Sequence, residues 1–150
     1  MKVTIPTLYV MIGPAGSGKT TFAKTIRAVH ISPDNIREEM FGDAAIQDRP
    51  ELVFHEAYER MLDALCAGKS VVFDATNTTT RARNNSLRRV DAIQCRKIAV
   101  LMNTPLEEAL RRNANRARKV PEGVIRSQYE KLEQSKNTIK DQFDATVTVE

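Results

Sequence analysis

The sequence predicts an α/β fold, a doubly wound sheet of five parallel strands with flanking helices, and three observations carry that expectation. Short apolar runs alternate with stretches of helical periodicity along the 150 residues. A glycine-rich loop joins the first run to the first helix, and neither internal repeats nor low-complexity tracts interrupt the alternation. A single domain over residues 1–150 is expected.

The first strand is read at 7–12, an apolar run that leads into Gly13, Pro14, Ala15, Gly16, Ser17, Gly18, Lys19 and Thr20. This fits the pattern G-x-x-x-x-G-K-[ST], in which successive backbone N–H groups curl around a phosphate oxyanion at the start of a helix. Gly13, Gly16 and Gly18 are expected to take positive φ and leave room for the ligand. Lys19 is placed to reach β- and γ-phosphates, and Thr20 to offer its hydroxyl to Mg²⁺. The helix is read at 21–27, which puts Thr21 beside the phosphates. The opposing reading, a glycine-rich turn that caps an ordinary helix, is set aside because strand, loop and helix agree.

A second strand is read at 28–32, with Asp34 and Arg37 at its carboxyl end, the edge of an open α/β sheet where ligands sit. Ser32-Pro33-Asp34 also reads as a helix start, with Ser32 or Asp34 capping residues 35–40, and the residues alone favour the cap. The polar stretch 41–50, with Gly42, Asp43 and Asp48, reads as a loop or broken helix. Residues 51–67 set Leu52, Phe54, Ala57, Tyr58, Met61, Leu62 and Leu65 at helical spacing, with Gly68 to end the helix. His55 and Tyr58 on this helix, and His30 before it, read as structural or surface residues.

A third strand, 70–74, ends in Asp74-Ala75-Thr76-Asn77. An acid there can accept hydrogen bonds from Mg²⁺ waters or from Thr20; the rival is a helix cap within 76–80, and the functional reading is preferred. The helix read at 81–90 carries Arg81, Arg83, Arg88 and Arg89, a solvated face or a path for phosphates. After a fourth strand at 97–102, Thr104 reads as an N-cap, Pro105 as the first helical residue and Glu107 as the closing member of a capping box. That helix runs into the cationic stretch 111–119, which reads as a lid over phosphates or as a solvated helix end with cations against its dipole. A further helix, from 121–123 to about Ser135, has Val124, Ile125, Tyr129 and Leu132 on its apolar side, and 145–149 is the closing strand.

Composition excludes several classes. No apolar run reaches the length a bilayer needs, and the N-terminus lacks the apolar stretch of a secretory signal, so a cytoplasmic protein without a membrane partner is expected. Cys66 and Cys95 are too few and too far apart for a disulfide framework or zinc site, and Cys66 is expected in the core. A net charge of +4 suits an anionic substrate or nucleic acid, although a nucleotide site alone would account for it.

Four segments together resemble the phage-type polynucleotide 5′-hydroxyl kinases, within the wider class of phosphate-loop kinases. They are Gly-Pro-Ala-Gly-Ser-Gly-Lys-Thr at 13–20, Ser-Pro-Asp-Asn-Ile-Arg at 32–37, Asp-Ala-Thr-Asn at 74–77 and Arg-Asn-Ala-Asn-Arg-Ala-Arg-Lys-Val-Pro at 112–121, continued by Val-Ile-Arg-Ser-Gln-Tyr at 124–129. The resemblance implies a P-loop NTPase fold of the adenylate-kinase-like type with a basic lid, ATP and Mg²⁺ as donor and cofactor, and a 5′-hydroxyl DNA or RNA end as acceptor. It implies Asp34 as general base, Arg37 on the scissile phosphate or acceptor, and Arg116 on the donor phosphates, which reverses the preference for a cap at Asp34. Two features depart from the family. Pro33 stands where members often have a basic residue suited to an acceptor phosphate, and the chain length leaves no room for the phosphatase or ligase domain often joined to this module. A kinase module without an obligate protein partner is therefore expected.

The function so read is transfer of the ATP γ-phosphate to a polynucleotide 5′-hydroxyl, with Asp34, Lys19, Arg37 and Arg116 as catalytic residues. A kinase of a small hydroxylated metabolite, nucleoside or antibiotic would use the same loop, base and lid. A nucleotide-dependent switch or regulatory ATPase is the reading from another class.

Overall fold

The computed structural model describes residues 4–43 and 49–150. Its centre is a five-stranded, all-parallel sheet of β1 (Thr7–Ile12), β2 (Val29–Ile31), β3 (Val71–Phe73), β4 (Arg96–Met102) and β5 (Ala145–Val149), in the order β2-β3-β1-β4-β5. The helices are α1 (Lys19–Ala23), α2 (Pro33–Phe41), α3 (Pro50–Cys66), α4 (Thr80–Arg89), α5 (Leu106–Ala114), α6 (Glu122–Ser135) and, after a 3₁₀ turn at Lys136–Thr138, α7 (Ile139–Gln142). The expected α/β fold with five parallel strands is the one found.

Why β1 reads as an unbroken apolar run follows from its place. Successive side chains point to opposite faces, and both faces are covered. Leu8, Val10 and Ile12 join a large cluster with Val53, Ala57, Met61 and Leu65 of α3, while Met11 joins a smaller one with Ala23 and the partly buried Phe22 of α1. At the sheet's centre, Val10 is in register with Phe73 on one side and Ala99 on the other. Among the described residues no helix is long and apolar enough to cross a membrane.

Several sequence expectations need correction. α1 begins at Lys19 and ends at Ala23, earlier and shorter than 21–27, because the loop itself forms the first turn. The buried stripe of α3 runs through Val53, Ala57, Tyr58, Met61 and Leu65; Leu52 is exposed, and so is Cys66, which turns away from the core at the helix's last residue. Ile125 and Leu132 anchor α6, whereas Val124 is exposed. Arg83 is completely buried rather than part of a solvated face. The sequence does not announce the 3₁₀ turn and α7, whose short span shows no full period, although Ile139 and Phe143 are buried. Of the polar stretch 41–50, residues 44–48 lie outside the described residues.

Candidate active site

At the carboxyl end of β1 the chain turns sharply, with the Gly13 N–H donating to the Thr76 carbonyl at 2.9 Å and the Ser17 N–H to that of Pro14 at 3.2 Å. Gly16 and Gly18 take φ of 82° and 91°, the left-handed region that favours glycine. A Cβ on Gly16 would stand 2.4 Å from the Ala109 carbonyl oxygen. Gly13 does not take positive φ; its glycine is needed for space, since a Cβ would stand 2.6 Å from Ser17 Oγ and 3.0 Å from Met102 Cβ. The floor of the loop is held from β4's end, where the Thr104 hydroxyl donates to the Ser17 carbonyl at 2.8 Å. Thr104 is thus a brace, not the expected N-cap; α5 begins at Leu106 and makes no side-chain cap bond, so neither Pro105 nor Glu107 fills its expected place.

Lys19 lies buried within this turn, and its ammonium donates to the Pro14 carbonyl at 2.8 Å. Burial pushes the ammonium down to about 8, opposed by the attraction of Asp74 and Asp34, with Arg116 adding to the depression. The Ser17 hydroxyl is buried with no protein partner. A buried ammonium and two glycines at positive φ suit a polyphosphate.

The other groups arrive from neighbouring strand ends. Asp74, just after β3 and buried, accepts the Thr20 hydroxyl at 2.8 Å on Oδ2, the same oxygen that meets His30 Nε2 at 2.9 Å. His30, read from sequence as structural or surface, therefore supports this acid from β2. Among the described residues there is no cluster of three or more His, Cys, Asp or Glu to cage a metal. The hydroxyl–carboxylate pair of Thr20 and Asp74 fits Mg²⁺, which keeps several of its waters and takes few protein ligands.

At the amino end of α2 the Ser32 Oγ accepts from the Asn35 N–H at 3.3 Å and caps the helix, so Asp34 is released from that role. Asp34 Oδ1 accepts from Arg37 Nη1 at 2.7 Å, and the largely buried Arg37 lies with its guanidinium 6.0 Å from the Phe54 ring centroid. Its other oxygen, Oδ2, accepts from Arg118 Nη2 at 2.9 Å. Arg118 was not singled out from sequence; its only signal was membership of the cationic run. Gln128 was also missed, though it lies in the segment 124–129: its Oε1 accepts the Ala15 N–H at 2.9 Å and ties α6 to the phosphate loop.

Ala15, Gly16, Gly18, Lys19, Thr20 and Thr21 line one cavity of about 790 Å³. Asp34, Arg37, Asp74, Arg112 and Arg116 line it too, while Gly13, Pro14 and Ser17 are buried behind the loop. The cationic run divides within it. Arg111 turns back to Glu108 on the exposed side of α5, whereas Arg116 and Arg118 face the cavity.

A parallel sheet with such a loop at its central strand, an acid on the loop threonine and arginines overhead defines a P-loop kinase domain. The chain belongs to the AAA domain family, whose model matches residues 8–135. It is 30% identical over 142 residues to a protein of Autographa californica nuclear polyhedrosis virus named as a bifunctional polynucleotide kinase/RNA ligase, with 83% of this chain and 20% of that protein covered. It is 27% identical over 135 residues to an L-seryl-tRNA(Sec) kinase of Methanococcus maripaludis, covering 84% of this chain and 52% of the relative. The chain thus spans a fifth to about half of the length of these relatives.

Among solved structures, a chain of the Pnkp1/Rnl/Hen1 RNA repair complex superposes with a TM-score of 0.81 at 22% identity, over 92% of this chain and 47% of that one. A gluconokinase from Sinorhizobium meliloti 1021 gives 0.61 at 19% identity, over 97% and 82%. At such identities the likeness is one of fold. The polynucleotide-kinase resemblance read from four short segments is borne out by these relatives.

Proposed function

We propose that this domain transfers the γ-phosphate of ATP to the 5′-hydroxyl of a DNA or RNA end, with Asp34 as general base. The observation that carries the reading is the single cavity lined by the phosphate loop, Asp34 with Arg37, Asp74 and the lid arginines. Donor and acceptor groups can meet there.

In this reading Lys19 and the loop N–H groups bind the β- and γ-phosphates, and Thr20 and Asp74 would hold Mg²⁺. When bound, Mg²⁺ would neutralise charge on the phosphate oxygens. Asp34 takes the proton of the acceptor hydroxyl as its oxygen bonds to the γ-phosphorus. The bond to the β–γ bridging oxygen breaks and ADP leaves with that electron pair. Arg37 orients Asp34 and meets the transferring phosphoryl group, while Arg116 stabilises charge on the donor side.

A second reading keeps the chemistry and changes the acceptor to a small hydroxylated metabolite. Pro33 favours it, since this buried apolar residue stands at the acceptor side of the cavity where a basic residue would suit a nucleic-acid phosphate. The experiment that separates the readings follows labelled γ-phosphate into 5′-hydroxyl DNA and RNA oligonucleotides, their 5′-phosphorylated twins, and a panel of nucleosides and sugars. Label on the 5′-hydroxyl oligonucleotides alone is expected. Label only on a small molecule would move the function to the second reading, and slow phosphate release with no labelled acceptor would make the domain a switch or regulatory ATPase.

A further inference from the structure

We propose that Arg118 is a positioning residue that lets the site discriminate an acceptor hydroxyl from water, by occupying Asp34 until an acceptor displaces it. The inference rests on the kinase reading above, with Asp34 as base.

The two guanidiniums on Asp34 are held differently. Arg37 stands one helical turn away on α2, is largely buried, and packs near Phe54, so its bond belongs to the permanent frame of the site. Arg118 comes from the lid, 84 positions along the chain, and both its side chain and that of Asp34 are substantially exposed, at 35% and 50%. An ion pair between such groups is weak and readily exchanged. It also crosses the cavity between the amino end of α2 and the lid, where an acceptor must approach Asp34.

A phosphate-loop site that binds a nucleotide admits water, and a carboxylate able to take a proton from an alcohol can take one from water. Wasteful hydrolysis would then proceed: the water oxygen bonds to the γ-phosphorus, the bond to the bridging oxygen breaks, ADP leaves with the electron pair, and Asp34 receives the proton. With Arg118 on Oδ2 and Arg37 on Oδ1, both oxygens of Asp34 are engaged. A single water is too small to dislodge the lid arginine. An acceptor that fills the space between α2 and the lid displaces it and frees Oδ2 for its own hydroxyl, a form of induced fit. Arg112, on α5 just before the lid, is differently engaged, since its Nε bonds Glu108 Oε1 at 3.1 Å.

The test compares ADP release without acceptor, and transfer to a 5′-hydroxyl oligonucleotide, for the unsubstituted protein, Arg118→Ala, Arg118→Lys and Arg118→Ala with Asp34→Asn. Acceptor-free hydrolysis is expected to rise up to about fivefold in Arg118→Ala, the most that loss of an exposed ion pair can release. It should fall back in Arg118→Lys, and fall to or below the original level in the double variant. A second readout needs no nucleotide: amides of residues 115–120 should exchange with solvent up to about fivefold faster in Arg118→Ala and in Asp34→Asn alike. Unchanged or lower hydrolysis in Arg118→Ala overturns the inference while transfer to the oligonucleotide keeps the kinase reading. Raised hydrolysis that persists in the double variant also overturns it. Absence of transfer to every hydroxyl acceptor by the unsubstituted protein overturns both.

Discussion

The side-chain amide of Asn113 bonds both backbone polar groups of Val120, its Nδ2 donating to the carbonyl at 2.7 Å and its Oδ1 accepting from the N–H at 2.8 Å. The segment carrying Arg116 and Arg118 is pinched off between these two residues, so one buried side chain sets the shape of the lid.

Asn113→Ala would leave both groups of Val120 without that partner, a local cost of about 1–3 kcal/mol. The expected result is a KM for ATP raised about tenfold, by roughly the same free energy, with global thermal unfolding little changed. Steady-state kinetics beside limited proteolysis of the lid checks it; an unchanged KM with an intact lid would contradict it.

Asp34→Ala should lower turnover by about 10² to 10⁴ while ATP binding stays close to normal, because the residue acts on the nucleophile. Lys19→Ala should weaken both. Isothermal titration with ATP, run beside transfer kinetics, separates the two variants, and retained turnover in Asp34→Ala would remove Asp34 from the mechanism.

Lys19 gives a pH dependence of definite sign. Burial holds its folded-state value at about 8, against 10.5 as the ordinary value. Below about pH 8 both folded and unfolded chains carry the charge, and the folded protein bears the full cost of burying it, on the order of 3 kcal/mol. As pH rises from about 8 to 10.5 the folded state gives up its proton first, and this contribution to stability climbs. Nucleotide-free Lys19→Met should therefore be more stable than the unsubstituted protein near neutrality, with the gap closing toward pH 10. Denaturation midpoints at a series of pH values check this; a gap independent of pH would refute it.

Arg83→Leu should destabilise the domain by about 3 kcal/mol or more. The guanidinium bonds Gln142 Oε1 at 2.8 Å, the Asn77 carbonyl at 2.9 Å and the Ser135 carbonyl at 2.8 Å, so its loss strands acceptors on three segments. Burial pushes this group down to about 10, which still leaves it charged at neutral pH. Arg83→Lys should not rescue stability, since an ammonium cannot reproduce the fork. Urea unfolding measures both variants.

What the sequence made legible was whatever depends on local order. The phosphate loop needs glycines, lysine and threonine at fixed offsets, and the strands needed only apolar runs bounded by turns. Roles set by distant partners were not visible. His30 gains meaning from Asp74, and Gln128 from the Ala15 N–H, contacts that exist only once the sheet has assembled. Charge type misled for the same reason: Arg83 looked solvated because nothing nearby in the chain announces the Ser135 carbonyl or the Gln142 side chain. Cys66 misled through periodicity, since it neighbours the buried Leu65 yet turns outward.

The order of the strands bears on how the protein comes to fold. Every strand is parallel to its neighbours, so no pair can zip up as a hairpin. Val10 meets partners 63 and 89 positions further on, at Phe73 and Ala99. Loop-closure entropy must be overcome before either contact forms, which makes such a sheet slow to nucleate. The phosphate loop stands on β1, and its floor is Thr104 beyond β4, so the nucleotide site forms only when the sheet does. A nascent chain stopped short of β4 would carry the whole loop sequence and still lack that floor.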